Sequence, residues 1–207
     1  MFLDEKLLQL ELERVREEDR ERLLEETKEL ILKQEREQKP VAQAVAELKS
    51  GMVVIDGKEF KSEIKVLLKG AAATFVFPED TEQIIEENNI ATVFYKTLEI
   101  GANLTYLKAP LAIKNENMFQ TKLTEQYAGE KITYYPLETG NLRSGNKTIR
   151  YAAGVTTSAA GGIFIINFYY TGHRGTVTGN YTCRLIKRYT FQNLFIAMLQ
   201  LMCEEEK

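Results

Sequence analysis

The chain has one histidine, His173, and two cysteines, Cys183 and Cys203. Any Ser-His-Asp or Cys-His pairing of nucleophile and base must therefore use His173. It stands in Tyr170-Thr-Gly-His-Arg-Gly175, between two stretches rich in β-branched and aromatic residues. That context predicts a turn tip and an ordinary exposed polar side chain. A single histidine excludes multi-histidine metal sites, and no acidic pair at helical spacing accompanies it. The cysteines are 20 residues apart and lack a metal-ligand pattern, so both read as reduced, core-type thiols.

The segment Gly140-Asn-Leu-Arg-Ser-Gly145-Asn-Lys-Thr148 approaches the phosphate-cradling pattern G-x-x-x-x-G-K-[ST], with Asn146 where the lysine belongs. That chemistry needs a helix N-terminus aimed at the phosphate. Here Ile149-Arg-Tyr-Ala continues as a strand, so a hairpin turn is expected. Residues 156–162, Thr-Thr-Ser-Ala-Ala-Gly-Gly, are small and polar, suited to approaching a ligand or simply to joining two strands. Three Asn-x-Thr sequons begin at Asn103, Asn146 and Asn180, as Thr-rich strands readily produce. These residues predict no enzyme, no cofactor and no metal.

The elements that would position such groups divide the chain in two. Residues 1–39 carry 13 acidic and 9 basic side chains and no glycine or proline, whereas residues 40–207 hold 18 Lys and Arg against 17 Asp and Glu. The nearly neutral body is a poor polyanion binder, so no nucleic acid is expected. About 168 residues bury close to 70% of their unfolded surface, enough for a core without disulfides. The opening Met-Phe-Leu-Asp-Glu-Lys lacks the apolar stretch of a signal peptide, and no apolar run reaches the 18 or so residues of a membrane span. A soluble cytoplasmic protein without a membrane span is expected.

Leu, Glu, Lys, Arg and Gln lose little rotamer freedom in a helix, so residues 1–39 predict one charged N-terminal helix, roughly 55 Å long. The row Leu3, Leu10, Glu17, Leu24, Ile31 repeats every seven residues; its companion row Leu7, Arg14, Glu21, Lys28 is apolar once. A continuous two-stranded seam needs both rows apolar. The pattern gives two apolar patches instead, Leu3–Val15 and Leu23–Leu32. Docking on its own domain, self-association through the patches, and a partly disordered arm all remain open. Leu3, Leu7, Leu10, Leu24 and Ile31 are the expected contact residues for oligomer or partner.

After Pro40, the apolar spacing of Val41, Ala44, Val45 and Leu48 predicts a short packed helix ending at Gly51. Met52–Ile55, the Asp56-Gly57 turn and Glu59–Leu68 predict a hairpin. Ala73–Phe77 reads as a strand stopped by Pro78. Acids in the first turn predict a short helix over Glu79–Ile85. Ala91–Lys96 and Ala102–Lys108 form an expected strand pair around Gly101. Asn115 or Asn117 caps a helix bearing Phe119, Leu123 and Tyr127 on one face and ending at Gly129. Four strands follow, over Lys131–Leu137, Lys147–Val155, Ile163–Tyr170 and Thr176–Leu185. Thr190 then caps a helix with an apolar stripe through Phe191, Leu194, Phe195, Met198, Leu199 and Met202. Strand alternation sends about half of Phe164, Phe168, Tyr169, Tyr170 and Tyr181 beneath that helix. The outward half, near Arg150, Arg184, Lys187 and Arg188, is a possible binding face.

This order of elements resembles the PsbP-like/Mog-type superfamily over roughly residues 52–203. The likeness rests on a strand ending Phe75-Val-Phe-Pro-Glu-Asp80, on the meander from Asn146-Lys-Thr-Ile-Arg-Tyr through Ile163-Phe-Ile-Ile-Asn-Phe-Tyr-Tyr to Gly179-Asn-Tyr-Thr-Cys183, and on the closing amphipathic helix. It implies an α+β fold in which an antiparallel sheet is flanked by helices as an α/β/α sandwich, with roles that are mostly binding. The helix 1–39 lies outside the shared pattern, leaving 40–207 as the sandwich domain. The expected function is a non-enzymatic interaction module for a protein partner or for self-association. The alternative is a small-ligand or lipid binder using the sheet face and loop 156–162.

Overall fold

The structure, a computed structural model, describes residues 38–68, 74–80, 82–87, 89–109, 113–130, 132–144, 147–158, 161–172 and 175–204. The chain separates into a unit Met1–Gln38 and a unit Lys39–Lys207, and the second of these holds the sheets and their helices. The expected N-terminal helix falls outside the described residues.

Pro40, at φ −60° and ψ 144°, sets the extended entry to helix α1, Val41–Lys49, which buries Ala44 and Leu48. Gly51 takes φ +86° beyond the helix end, as a left-handed stop requires. The Glu47 carboxylate accepts from the Val54 N–H, the Gln43 side-chain amide and the Lys39 ammonium, tying α1 to the first strand. Strands β1, Met52–Ile55, and β2, Lys58–Val66, form the expected hairpin. Its two-residue turn puts Asp56 at φ 49° and Gly57 at φ 73°, the left-handed pair that matches strand twist. β3, Thr74–Pro78, completes a three-stranded antiparallel sheet on β2.

Seven more strands build the main sheet: β4 (Glu82–Glu87), β5 (Ile90–Tyr95), β6 (Ile100–Leu107), β7 (Tyr134–Ser144), β8 (Lys147–Ser158), β9 (Gly161–Gly172) and β10 (Gly175–Arg184). Their spatial order is β4-β5-β6-β10-β9-β8-β7, and every pair is antiparallel. The sheet is thus two meanders, β4–β6 and β7–β10, joined where β10 pairs with β6. The crossover between them carries helix α2, Glu116–Gly129, capped by the Asn115 side chain accepting from the Met118 N–H at 2.9 Å. A 3-10 turn, Leu185–Lys187, leads into helix α3, Arg188–Glu204.

Three expectations change. Residues 79–85 are not a helix: Glu82–Glu87 is the edge strand β4, paired with β5 from Glu82↔Tyr95 to Glu87↔Ile90. A single helical turn has a costly nucleus, while β-branched Ile84 and Ile85 suit a ladder already templated by β5. Gly101 lies within β6 and not in the turn, which Lys96–Glu99 forms with Glu99 at φ 56°. Thr190 does not cap α3, which starts earlier; its hydroxyl donates to Asp56 at 3.1 Å.

On β9, Phe164, Ile166, Phe168 and Tyr170 join the main core, whereas Ile165 and Tyr169 join a smaller cluster under α2. One sheet face therefore packs against α3 and the other partly against α2, with α1 and β1–β3 contributing to the α3 side. Aromatic rings run through the main core: Phe191–Phe195 at 5.8 Å between centroids, Phe195–Tyr181 at 5.4 Å, Tyr181–Phe168 at 5.3 Å. α3 is buried on both flanks, Ile196, Ala197 and Leu201 included, because α1 and β3 close over it. Cys183 is a free, buried thiol in β10, as a core-type cysteine should be, and burial pushes its pKa up to about 12.

Candidate binding face

α2 covers only half of its sheet face. Phe119, Leu123 and Tyr127 bury against Tyr134, Ala152, Ile165 and Tyr169, with Phe119 edge-on to Tyr169 at 4.8 Å and Tyr127 stacked on Tyr134 at 4.7 Å. Gly154 makes room for the Tyr134 ring, since a Cβ there would stand 2.3 Å from it. The Arg150 guanidinium lies over the Tyr169 ring at 5.7 Å and its Nη2 donates to the Lys114 carbonyl at 3.4 Å. At the helix start, the Glu116 carboxylate accepts from its own backbone N–H and from the Asn141 amide, and with Arg150 nearby its pKa is lowered. The outward aromatic Tyr169 is thereby buried beneath α2, with Arg150 half-buried over its ring.

The other half, on β10, β6, β5 and β4, has no helix over it among the described residues. Register places Asn167, Asn180, Asn103 and Thr92 in one row across β9, β10, β6 and β5. Along that row Thr92 Oγ1 donates to Asn103 Oδ1 at 3.0 Å, and Asn103 Nδ2 donates to Asn180 Oδ1 at 3.2 Å. At the covered end, the Tyr127 hydroxyl donates to Asn167 Oδ1 at 3.0 Å. Asn167, only 5% exposed, keeps Nδ2 without a hydrogen-bond partner, as does the buried Tyr134 hydroxyl. Burial raises the Tyr134 pKa to about 12 and also raises that of Tyr127. Beyond the row, toward the β4 edge, Ile85 (58% exposed), Ile90 (54%) and Phe94 (45%) cluster on the same face.

The edge itself is guarded by charge. Lys65 of β2 bridges Glu63 and Glu82, and the Glu86 carboxylate accepts from the Leu68 N–H at 3.0 Å. Acids on a short edge strand discourage further strand pairing, which leaves the face and not the edge as the open surface.

The residues singled out from the sequence are distributed differently. Leu3, Leu7, Leu10, Leu24, Ile31 and His173 lie outside the described residues. Residues 140–144 and 147–148 are paired strand of β7 and β8, up to Ser144↔Lys147, and no helix begins among them, so the phosphate-loop likeness ends. Thr156–Ser158 and Gly161–Gly162 are paired strand, up to Ser158↔Gly161, so these parts of the expected loop 156–162 belong to the sheet. Among the described residues no group of His, Cys, Asp and Glu is placed to hold a metal, and no helix is long and apolar enough to cross a membrane. Sequence reasoning missed Ile85, Ile90 and Phe94; the alternation Ile90-Ala-Thr-Val-Phe94 carried the signal for two of them. It noticed Asn103 and Asn180, but only as chance sequons.

An antiparallel sheet with helices on both faces and an open half-face defines an α+β protein with a PsbP-like fold. No protein-family model matches the sequence, and no curated protein matches it. The solution structure of the cyanobacterial PsbP protein CyanoP from Synechocystis sp. PCC 6803 is similar in fold, at 6% identity and TM-score 0.52, over 67% of this chain and 89% of that one. PA94 of Pseudomonas aeruginosa, a protein of unknown function, aligns at 5% identity and TM-score 0.42 over 70% of this chain and 99% of that one.

Proposed function

We propose that the chain is a non-enzymatic module that recognises another protein, with the open half-face as one contact surface. The charged segment 1–39 would mediate oligomer or partner contacts through Leu3, Leu7, Leu10, Leu24 and Ile31. The observation that carries this reading is the composition of the open half-face: Ile85, Ile90 and Phe94 stand together in water beside an ordered row of amides. Scattered exposed aliphatics need no explanation, but three neighbours on one rigid face match the apolar centre and polar rim of a protein contact. Lys39–Lys207 forms a compact unit with its own core.

Light scattering on the full chain and on residues 40–207 tests the segment. The full chain is expected to assemble and the shorter one to be monomeric; equal mass per particle removes the oligomer role. Partner capture with wild type, Phe94→Lys and Ile64→Ser tests the face. Capture must fail only for Phe94→Lys, because Ile64 is an exposed aliphatic on β2 of the other sheet.

One observation favours the small-ligand alternative, namely Asn167 Nδ2, which makes no hydrogen bond at the seam between α2 and the open half although Oδ1 accepts from Tyr127. That reading predicts that Asn167→Leu abolishes a ligand-induced rise in melting temperature while leaving protein capture intact.

A further inference from the structure

Between β10 and α3 the chain reads Arg184-Leu185-Ile186-Lys187-Arg188, with the 3-10 turn at its centre. Ile186 is 72% exposed, the highest value among the exposed large apolar side chains described, and Leu185 beside it is 37% exposed. The turn is held from behind. Leu185 covers Gly162, where a Cβ would meet it at 2.9 Å. The Arg188 guanidinium sits 5.4 Å from the Phe164 ring centre and 5.2 Å from that of Tyr189, and its Nε donates to Gln192 at 2.7 Å. Arg184 and Lys187 both approach Glu99, at 3.4 and 3.5 Å. Two cations, Arg184 and Lys187, share the single carboxylate of Glu99, so the corner carries a positive excess, and its apolar tip is presented outward.

We propose that this corner docks on an anionic lipid surface, with Leu185 and Ile186 entering the interfacial layer and Arg184 and Lys187 meeting the headgroups. An aliphatic tip flanked directly by cations fits an anionic lipid surface. Interfacial binding needs shallow aliphatic insertion with cations immediately beside it. Arg184 is solvent-exposed, and an exposed pair with Glu99 is weak enough to exchange for a lipid phosphate. The body is otherwise nearly neutral, so this corner sets the orientation of approach. The corner lies at the end of β10, and its role stands whether or not the open half-face binds protein.

Cosedimentation of the full chain with phosphatidylcholine vesicles, with and without phosphatidylglycerol, tests it. Binding is expected only with phosphatidylglycerol and is expected to weaken as salt rises. Arg184→Gln and Lys187→Gln should each lower the partition coefficient about fivefold, and Ile186→Ser about tenfold. Ile64→Ser, an exposed aliphatic on the three-stranded sheet, should change nothing. Circular dichroism confirms that the variants are folded. Absence of binding, equal binding to phosphatidylcholine alone, or an unaffected Ile186→Ser variant overturns the proposal. So does binding to soluble polyglutamate as tight as to vesicles, which would mark the corner as an acidic-protein site.

Discussion

Under α2 the main sheet presents Tyr134, Ala152, Ile165 and Tyr169; further along the same face it presents Thr178, Asn180, Asn103 and Thr92. Apart from a bulge between Pro136 and Glu138 in β7, the ladders of both halves are regular, so strand pairing alone does not explain the difference. Side-chain chemistry does. β9 is apolar on both faces except at Asn167, because helices lie on both sides of it, whereas β10 alternates Val177, Tyr181 and Cys183 inward with Thr178, Asn180 and Thr182 outward. The covered half is stabilised by burial. The open half satisfies its polar groups laterally, side chain to side chain, and leaves its apolar groups in water at one end.

The largest expected contrast is between two phenylalanines. Phe119→Ala removes a ring packed against Tyr169 and should cost about 3–4 kcal/mol in a denaturant titration. Phe94→Ala, on the open half, should stay within about 0.5 kcal/mol. If the two costs are similar, the open half is covered in solution and the comparison fails.

Two glycines repeat the contrast at smaller scale. Gly154→Ala places a methyl 2.3 Å from the Tyr134 ring, which is stacked on Tyr127 and has nowhere to retreat, so a loss of about 2 kcal/mol is expected. Gly101→Ala crowds the Thr182 hydroxyl, at 2.8 Å, which can rotate away, and otherwise reaches only ordinary contact with the Val93 carbonyl at 3.9 Å. Its cost should be below about 1 kcal/mol. Thermal melts of both variants check the order.

Alkaline pH separates the halves through Tyr134. Its pKa, raised by burial to about 12 from an unfolded value near 10, makes ionisation unfavourable in the folded chain. Between these values the unfolded state binds fewer protons, so stability is fully present below pH about 10 and declines as pH rises toward 12. Tyr134→Phe should flatten that decline, measured as the urea midpoint against pH. An unchanged slope would mean that other groups carry it.

Much of this arrangement was legible in the sequence. The Asp56-Gly57 turn, a cap at Asn115 or Asn117, the Phe119/Leu123/Tyr127 stripe and the final four strands follow from local chemistry, and each is present, with Asn115 as the cap. β4 was not legible. Its acids satisfy a helix start as well as an exposed edge, and only pairing with β5, a tertiary fact, decides between them. The open half-face was hidden for a related reason. Asn103 and Asn180 are 77 residues apart, so nothing local reveals that their side chains share a hydrogen bond.

That bond provides the finest test of the comparison. Asn103 and Asn180 are partly solvated, so Asn103→Ala should cost only about 0.5–1 kcal/mol, close to the net value of one exposed hydrogen bond. A double-mutant cycle with Asn180→Ala isolates the pairwise term. A coupling of a few tenths of a kcal/mol or more shows that the row is ordered as a unit and presents a fixed pattern of donors and acceptors. Zero coupling means that each amide answers to water alone. In that case recognition on the open half would fall to Ile85, Ile90 and Phe94, and partner binding should survive Asn103→Ala but not Phe94→Lys. If both variants lose the partner, the amides and the apolar cluster act as one surface.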